Sequence, residues 1–278
     1  MANYTAADIK ALRERTGAGM MDVKKALDEA NGDTEKAMEV IRIKGLKGAT
    51  KREGRSTAEG LIAARVNDGA GVMIEVNCET DFVAKSAPFI EFGDKVVAAA
   101  VESGATDVDV LLGYDVDGKP LSEHVIEAGA LLGEKVKVRR IARVEGKTVD
   151  AYLHKTSKDL PAQVGVLFAV DGGGSDAEEA AHDVAVHAAA YNPTYITRDE
   201  VPAELVENER RIADETARAE GKPEQALTKI VEGRLTGFFK EGVLLDQAFA
   251  KDPKKSVAQV LQEAGVSATG LARFRVGS

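Results

Sequence analysis

The first 45 residues carry apolar side chains at helical spacing. They form three groups, each repeating every three or four positions: Ile9 and Leu12; Met20, Val23 and Leu27; Ala37, Met38 and Ile41. This spacing places each group on one face of a helix. Thr5 and Asp8 can cap the first helix, and Gly17 and Gly45 can end the first and third. The pattern predicts three short helices, followed by a basic helix-to-linker passage that ends near residue 55.

From about residue 56 the apolar positions alternate, as they do in β-strands. The turn Asn67-Asp68-Gly69 separates two such runs and predicts a hairpin, which a helix follows. The order strand, turn, strand, helix occurs a second time further along, which indicates an internal duplication. The predicted elements are strands at 61–66, 73–77, 135–144, 149–154 and 164–170 and helices at 88–103 and 177–190.

Residues 202–242 are polar and helical in pattern, with a thin apolar stripe. The stripe repeats about every seven residues on both sides of the turn Gly221-Lys222-Pro223: Leu205, Ile212 and Ala219 before it, Leu227, Val231 and Phe238 after it. Two helices joined by a tight turn would pack antiparallel along these positions. We expect a protruding helical hairpin, followed by a helix that buries Val257, Val260 and Leu261 and by a strand at 272–276.

Together these elements predict an α+β protein with three parts. We expect a three-helix N-terminal domain with a basic linker over residues 1–55, a first core half over 56–145, and a second core half over 146–278 that includes the antiparallel helical hairpin at about 202–242. Each core half is expected to contain an antiparallel sheet. A chain of 278 residues with 44% hydrophobic content is long enough for two compact units.

The formal net charge of −9 argues against nucleic-acid binding by the protein as a whole. Residues 1–55 differ, with 12 Lys and Arg against 9 Asp and Glu, so this part could dock on an acidic protein or RNA, or could simply be solvated. Cys78 is the single cysteine, which fits a reducing compartment. The sequence contains no apolar run of membrane-spanning length and no recognisable signal peptide. We therefore expect a cytoplasmic protein.

Several residues could suggest an enzyme or a metal site. Cys78 could be a nucleophile, but a thiol in a strand pattern is more often buried and structural. His182 and His187 are five apart, which is not the spacing of two metal ligands on one helix face. The glycine-rich run 171–175 lacks the ending of a phosphate-binding P-loop, and the run 115–118 lacks the later glutamate of a calcium loop. A binding protein without cofactor or metal is therefore favoured over an enzyme.

Phe82 lies on the connection between the strand at 73–77 and the helix that starts near Ser86. Such a loop is a surface element between two rigid ones. A large apolar ring there either packs into the core, over the helix that carries Ile90, or is available to a partner. The residue pattern alone leaves both hypotheses open.

Two runs of residues are similar to the signatures of a known family. They are Glu75-Val76-Asn77-Cys78-Glu79-Thr80-Asp81-Phe82-Val83-Ala84-Lys85 and, near the N-terminus, Leu12-Arg13-Glu14-Arg15-Thr16-Gly17-Ala18-Gly19-Met20-Met21-Asp22-Val23-Lys24-Lys25-Ala26-Leu27. Both runs resemble the signatures of bacterial elongation factor Ts, the nucleotide exchange factor for the GTPase elongation factor Tu. Weaker similarity continues to the closing run Gly270-Leu271-Ala272-Arg273-Phe274-Arg275-Val276, so the resemblance covers essentially the whole chain.

The resemblance implies a function for the loop that carries Phe82. Asp81 and Phe82 would enter the GTPase near its magnesium site, where Phe82 separates side chains, the magnesium ion is lost and GDP is released. Thr80 and Val83 would hold the loop in shape. The protein would act by binding and would not be an enzyme.

The resemblance also implies two further contacts. The N-terminal domain, which in the family is like the ubiquitin-associated fold, would grip the nucleotide domain of the GTPase through Met20, Met21 and Lys24. His154 would reach another domain of the GTPase. Because Met20 and Met21 are adjacent on a helix, they cannot both face the core, and one is expected to be exposed.

The family comparison also bears on stoichiometry and on alternatives. Short relatives have one core half and dimerise, whereas both halves are present here, so one exchange factor per GTPase is expected. The chain stops after the final strand, so contacts of the extra C-terminal module of some relatives are not transferred to it. The alternative function is a scaffold or RNA-associated helper that uses the basic N-terminal part and the hairpin, and an enzyme built on Cys78 is the third hypothesis.

Overall fold

The computed structural model describes residues 3–16 and 18–278, the side chains of 46–51 excepted. Helices and small antiparallel sheets both occur, so the predicted α+β class is confirmed. The helices are α1 (Ala6–Thr16), α2 (Met20–Glu29), α3 (Thr34–Arg52), α4 (Asp81–Ala84), α5 (Ala87–Ser103), α6 (Val108–Gly113), α7 (Leu121–Leu132), α8 (Ser175–Tyr191), α9 (Ala203–Ala219), α10 (Glu224–Gly242) and α11 (Val257–Glu263). The strands are β1 (Glu59–Asn67), β2 (Ala70–Cys78), β3 (Asp115–Val116), β4 (Lys119–Pro120), β5 (Lys137–Glu145), β6 (Thr148–His154), β7 (Val164–Val170) and β8 (Ala268–Arg275). In the described ranges, no helix is long and apolar enough to cross a membrane.

The three N-terminal helices form a small core of their own. The predicted cap of α1 is present: the Thr5 N–H donates to the Asp8 carboxylate at 2.7 Å, and the Asp8 N–H donates to the Thr5 hydroxyl at 3.3 Å. Each of the three helices contributes buried apolar side chains to this core: Leu12 from α1; Val23, Ala26 and Leu27 from α2; Ala37 and Ile41 from α3.

The predicted end of α3 at Gly45 is wrong, because the helix continues to Arg52. Gly45 faces Ala130 of α7, and the space there does not admit even a Cβ atom. The glycine therefore allows α3 and α7 to cross closely instead of ending the helix. Arg42 of α3 also forms an ion pair with Glu127 of α7. The predicted linker is thus mostly helix, and it packs against the body.

The body contains two three-stranded antiparallel sheets of the same topology. The first has the order β1-β2-β5 and the second has the order β6-β7-β8. A helix follows the second strand in each case, and α5 packs on the first sheet while α8 packs on the second. The predicted turn in the first hairpin consists of Asp68 and Gly69, both with positive φ. The predicted order of strand, strand and helix is therefore present twice, while the domain boundaries at residues 55 and 145 stay predictions.

The segment between α5 and β5 contains elements that the sequence pattern did not predict. These are α6, the two-residue strands β3 and β4, and α7. Leu121, His124 and Ala128 of α7 are buried, because this helix lies between α3 on one side and α5 on the other. A helix covered by neighbours on several sides lacks the clear polar face that helix prediction requires.

The two sheets pack against each other through a shared apolar layer. Its buried members come from both sheets: Ile62, Met73 and Val144 from the first, Leu167, Ala169 and Phe274 from the second. Glu75 is also fully buried on β2, where its carboxylate pairs with Arg140 at 2.6 Å and Arg139 at 3.5 Å. The backbone N–H of Gly277, just after β8, donates to the same carboxylate at 3.2 Å. The polar contact thus ties the end of the second sheet to the middle of the first.

The helical hairpin is formed by α9 and α10, as predicted, but its buried stripe differs from the prediction. Leu205, Ile212 and Ala219 are exposed. On α9 the interior instead contains Ala213 and Ala217. On α10 the predicted Leu227 and Val231 are buried, and Leu235 is buried in place of the half-buried Phe238. Because alanine side chains are small, they let the two helices approach closely. The buried positions of α9 therefore lie one or two residues away from the predicted Ile212 and Ala219.

His187 of α8 is buried, and both of its ring nitrogens have partners. The backbone N–H of Ala250 donates to Nδ1 at 3.2 Å, so Nε2 carries the proton and donates to Oε1 of Gln247 at 2.9 Å. Tyr191 stacks on the ring with 4.6 Å between the ring centroids. Burial lowers the pKa of His187, and the hydrogen bond with Gln247 opposes this effect only in part. A second ring proton would face the Ala250 N–H, so the folded protein favours the neutral ring.

We predict that acidification destabilises the protein through His187. The unfolded chain binds a proton at the ordinary pKa of about 6.5, whereas the folded protein binds it at a lower pH. The contribution of His187 to the free energy of unfolding is therefore fully present above the pKa that this histidine has in the unfolded chain. It is lost as the pH falls below that pKa. Urea denaturation measures the free energy of unfolding at pH values from about 7.5 to about 5.5. This free energy should fall less steeply with pH in His187→Gln than in the wild type, and the two slopes should differ by at most about 1.4 kcal/mol per pH unit.

The matched control is His182→Gln, which changes an exposed histidine of the same helix. Equal slopes in the wild type and His187→Gln would contradict the prediction.

Candidate functional site

The loop after β2 exposes Phe82 to solvent. β2 ends at Cys78, Thr80 caps the one-turn helix α4, and Phe82 is the second residue of this helix, with 73% of its surface exposed. Ala84, two positions further on, is fully buried. Helix α4 therefore turns one side towards the core and the ring of Phe82 towards solvent. The hypothesis that Phe82 packs into the core is wrong.

Two hydrogen bonds join residues that are close in sequence within the loop. The N–H of Val83 donates to Oγ1 of Thr80 at 3.4 Å, and the hydroxyl of Ser86 donates to the carbonyl of Val83 at 2.8 Å. The side chain of Val83 is partly buried against the core of the first sheet. Thr80 and Val83 thus form hydrogen bonds on either side of Phe82.

Glu134 anchors the start of this loop from another part of the chain. Its carboxylate accepts hydrogen bonds from the backbone N–H of Glu79 at 2.9 Å, from the N–H of Thr80 at 3.0 Å and from the Thr80 hydroxyl at 2.6 Å. In return, the carboxylate of Glu79 accepts the N–H of Lys135 at 2.6 Å and pairs with Arg55 at 3.2 Å. The sequence analysis missed Glu134, because 54 residues separate it from Thr80 and no local pattern signals the contact.

Lys85 lies beside the two exposed residues at the tip of the loop. Its ammonium group is 4.4 Å from the centroid of the Phe82 ring and 3.3 Å from the carboxylate of Asp81. An ammonium ion is attracted to the face of an aromatic ring, and an exposed ion pair adds little stability. The tip therefore presents a ring, a carboxylate and an ammonium group side by side.

Cys78 is buried at the base of the loop. Burial raises the pKa of its thiol to about 12, and the negative charges of Glu134 and Glu59 contribute less. Such a thiol is neutral at pH 7 and is a poor nucleophile, which argues against an enzyme built on Cys78. Among residues 3–16 and 18–278, no group of three or more His, Cys, Asp and Glu is placed to hold a metal ion.

Met20, Met21 and Lys24 lie together at the start of α2. Met20 is 56% exposed and Met21 is 63% exposed, so the expected grouping of Met20 with the buried Val23 and Leu27 is wrong. Met20 is the first residue of α2 and lies outside the small core, which includes α2 only from Val23 onwards. Lys24 is exposed as well, and the three side chains form one surface of long flexible groups.

His154 is exposed at the end of β6, and its Nδ1 lies 3.1 Å from the hydroxyl of Tyr152. In the part of the chain that the structure describes, no hydrogen bond or ion pair joins His154, the α2 surface and the Phe82 loop. His154, the three residues of the α2 surface and Phe82 are each exposed at the surface. Exposed side chains suit contact with a large partner better than binding of a small substrate, which usually occupies a pocket.

Comparisons with known proteins agree with the two signature runs. The family model described as Elongation factor TS matches residues 79–278. Curated relatives named Elongation factor Ts include those of Renibacterium salmoninarum, 79% identical, Kocuria rhizophila, 69% identical, and Kineococcus radiotolerans, 55% identical. In all three the alignment covers 100% of this chain and 100% of the relative.

We predict that Phe82→Ala leaves stability almost unchanged. An exposed ring contributes little to folding, so the loss should stay below about 1 kcal/mol, including the contact with Lys85. The matched control is Phe89→Ala in α5, where a fully buried ring is removed and the expected loss is about 3 to 5 kcal/mol. Urea denaturation measures both values, and similar losses in the two variants would contradict the exposed position of Phe82.

Proposed function

Because this chain belongs to the elongation factor Ts family, we propose that it is a guanine nucleotide exchange factor for elongation factor Tu. In this function it binds the GDP-bound GTPase, accelerates GDP release and lets GTP enter, which supports translation elongation in the cytoplasm. It binds and releases its partner and catalyses no covalent reaction. The observation that carries the proposal is the exposed Phe82 on a loop whose backbone is held by hydrogen bonds.

Exchange requires the factor to bind the emptied GTPase better than the GDP-bound form. Linkage makes the two effects equal: the factor lowers the affinity of the GTPase for GDP by the same ratio by which GDP lowers the affinity of the GTPase for the factor. A ratio of 10⁴ corresponds to about 5.5 kcal/mol, which is more than one side chain usually supplies. Several contacts spread over a broad interface, with a few anchors, meet this requirement better than a single pocket.

In the proposed mechanism, the Phe82 loop acts at the magnesium site of the GTPase. Asp81 and Phe82 enter there, Phe82 separates the side chains around the ion, and the ion is displaced. Magnesium neutralises phosphate charge in such sites, so its loss weakens GDP binding. An aromatic ring suits this role because it is large and has few rotatable bonds to immobilise. Thr80 and Val83 maintain the shape of the loop during insertion.

The other two surfaces supply affinity in this proposal. Met20 and Met21 offer flexible, polarizable side chains that adapt to a partner, and Lys24 adds a positive charge beside them. These three residues bind the nucleotide domain of the GTPase, while His154 contacts another of its domains. Both three-stranded sheets belong to one chain, so we propose one exchange factor per GTPase.

We predict that catalytic amounts of the protein accelerate the release of labelled GDP from elongation factor Tu, measured by stopped flow. Phe82→Ala should slow release at saturating protein by at least about tenfold, which corresponds to about 1.4 kcal/mol. Asp81→Ala should show a smaller loss. Excess EDTA should narrow the difference between wild type and Phe82→Ala, because it removes the ion that the ring is proposed to displace.

The control for this experiment is Phe82→Leu, which keeps an apolar group of reduced size and should give an intermediate rate. An unchanged rate of GDP release with saturating wild-type protein would overturn the proposed function. An equal difference between wild type and Phe82→Ala with and without EDTA would overturn the role of magnesium.

We also predict that the double variant Met20→Ala/Met21→Ala binds the nucleotide-free GTPase about tenfold or more weakly, as expected if both apolar side chains are buried on binding. Lys24→Ala should weaken binding less and in a salt-dependent way. Titration calorimetry measures both effects. The control is Lys25→Ala, which removes an equally exposed lysine of α2, and equal affinities in all variants would contradict the proposed grip.

A further inference from the structure

The backbone of residues 79 and 80 lies at the end of the first sheet. β2 pairs with β1 as far as Cys78 and with β5 as far as Asn77. The N–H groups of Glu79 and Thr80 lie beyond this ladder, and both donate to the carboxylate of Glu134. A third bond comes from the hydroxyl of Thr80. One side chain therefore supplies the hydrogen-bond partners that the sheet no longer provides here.

We propose that Glu134 is a positioning residue for Phe82, holding the loop in the geometry that enters the GTPase. The inference rests on the proposed function, since it assigns a role in nucleotide exchange to a residue outside the exposed tip of the loop. One carboxylate oxygen of Glu134 accepts the two N–H groups, and the other accepts the Thr80 hydroxyl. Three such bonds on two adjacent residues restrict the backbone immediately before α4.

Glu134 can act as an anchor because its own position is well defined. α7 ends at Leu132, Gly133 caps it in the left-handed conformation with a φ of 76°, and Glu134 follows directly. The next N–H, that of Lys135, donates to the carboxylate of Glu79 at 2.6 Å. The two segments are thus joined in both directions, from Glu79 to Lys135 and from Glu134 to Thr80.

The ring of Phe82 depends on this anchor because it has little other support. The ring is exposed, and Lys85, three residues further on, contacts it. Its position follows from the backbone of α4, which begins one residue after Thr80. Without Glu134, the N–H groups of residues 79 and 80 can bind water, and the loop can adopt other conformations that do not fit the partner. Such conformations lower the fraction of protein that is competent for insertion.

Four variants separate hydrogen-bond reach from charge. Glu134→Ala removes all three bonds, and Glu134→Asp keeps the charge but withdraws the carboxylate by one methylene group. Glu134→Gln keeps the reach, because its carbonyl oxygen can accept both N–H groups and its amide can donate to the Thr80 hydroxyl. Glu123→Ala is the matched control, since it removes an exposed glutamate at the other end of α7.

The first measurement is amide hydrogen exchange of the isolated variants, with a thermal melt to show that each is folded. We expect the amides of Glu79 and Thr80 to exchange at least about tenfold faster in Glu134→Ala and Glu134→Asp than in the wild type, as for the loss of bonds to a charged group. Glu134→Gln and Glu123→Ala should retain most of the protection. Unchanged protection in folded Glu134→Ala would overturn the anchor.

The second measurement is GDP release from elongation factor Tu over a range of GTPase concentrations. Glu134→Ala and Glu134→Asp should reduce the maximal rate about tenfold, while the concentration for half-maximal rate changes by less than about twofold, because the α2 surface and His154 remain. Glu134→Gln should restore most of the maximal rate. A purely electrostatic effect would give the reverse order, with Glu134→Asp active and Glu134→Gln inactive, and would overturn the proposal.

Failure of the inference and failure of the proposed function have different outcomes. Wild-type protein that does not accelerate GDP release would overturn the proposed function together with the role of Glu134. Wild-type acceleration with an equal maximal rate in folded Glu134→Ala would overturn the role of Glu134 alone. A loss confined to the half-maximal concentration would also overturn it, since Glu134 would then act on binding and not on the insertion of Phe82.

Discussion

The burial of β2 on both faces is the constraint on which the rest of the structure depends. Val72, Ile74 and Val76 face the helical layer of the first sheet, whereas Met73 faces the second sheet. Glu75 and Asn77 share the second face and are fully buried. A buried carboxylate is costly unless it is paired and hydrogen-bonded. A bulge in the pairing of β5 lets the consecutive residues Arg139 and Arg140 both reach Glu75, and the Gly277 N–H adds a third partner.

This central strand explains how an exposed ring can have a fixed position. β2 is paired on both edges as far as Asn77 and covered on both faces, and Cys78 at its end is fully buried. The chain then leaves the sheet, is held by Glu134, and forms one helical turn whose tip is Phe82. The hydrogen bonds of Glu134 hold the start of the loop, while the exposed tip is contacted by Lys85. The separation of a rigid base from an exposed contact group is what a binding protein requires.

Local patterns sufficed for the elements whose sequence has one buried and one solvated side. The helices α1 and α2 are of this kind, while the turn residues Asp68 and Gly69 predicted the β1–β2 hairpin although β2 is buried on both faces. Prediction from local patterns failed where a helix face packs against another element instead of facing solvent. α3 continues past Gly45 because Ala130 lies against it, α7 is covered from two sides, and α9 uses Ala213 and Ala217 at its interface instead of the larger Leu205 and Ile212. For α3 the neighbour that decided the outcome, Ala130, is distant in sequence, whereas α9 packs on the next helix, α10.

The sequence by itself determined the fold class, the repeated order of elements, the family resemblance and the identity of the loop that carries Thr80, Asp81, Phe82 and Val83, because these depend on residue types at short spacing. It left open whether Phe82 is core or surface, and it placed Met20 on the buried face. Only the tertiary structure decided both points, since exposure depends on which other segments cover a residue. The contact of Glu134 with Thr80 could not be predicted for the same reason. The two residues are 54 positions apart, and no local pattern encodes a hydrogen bond over that distance.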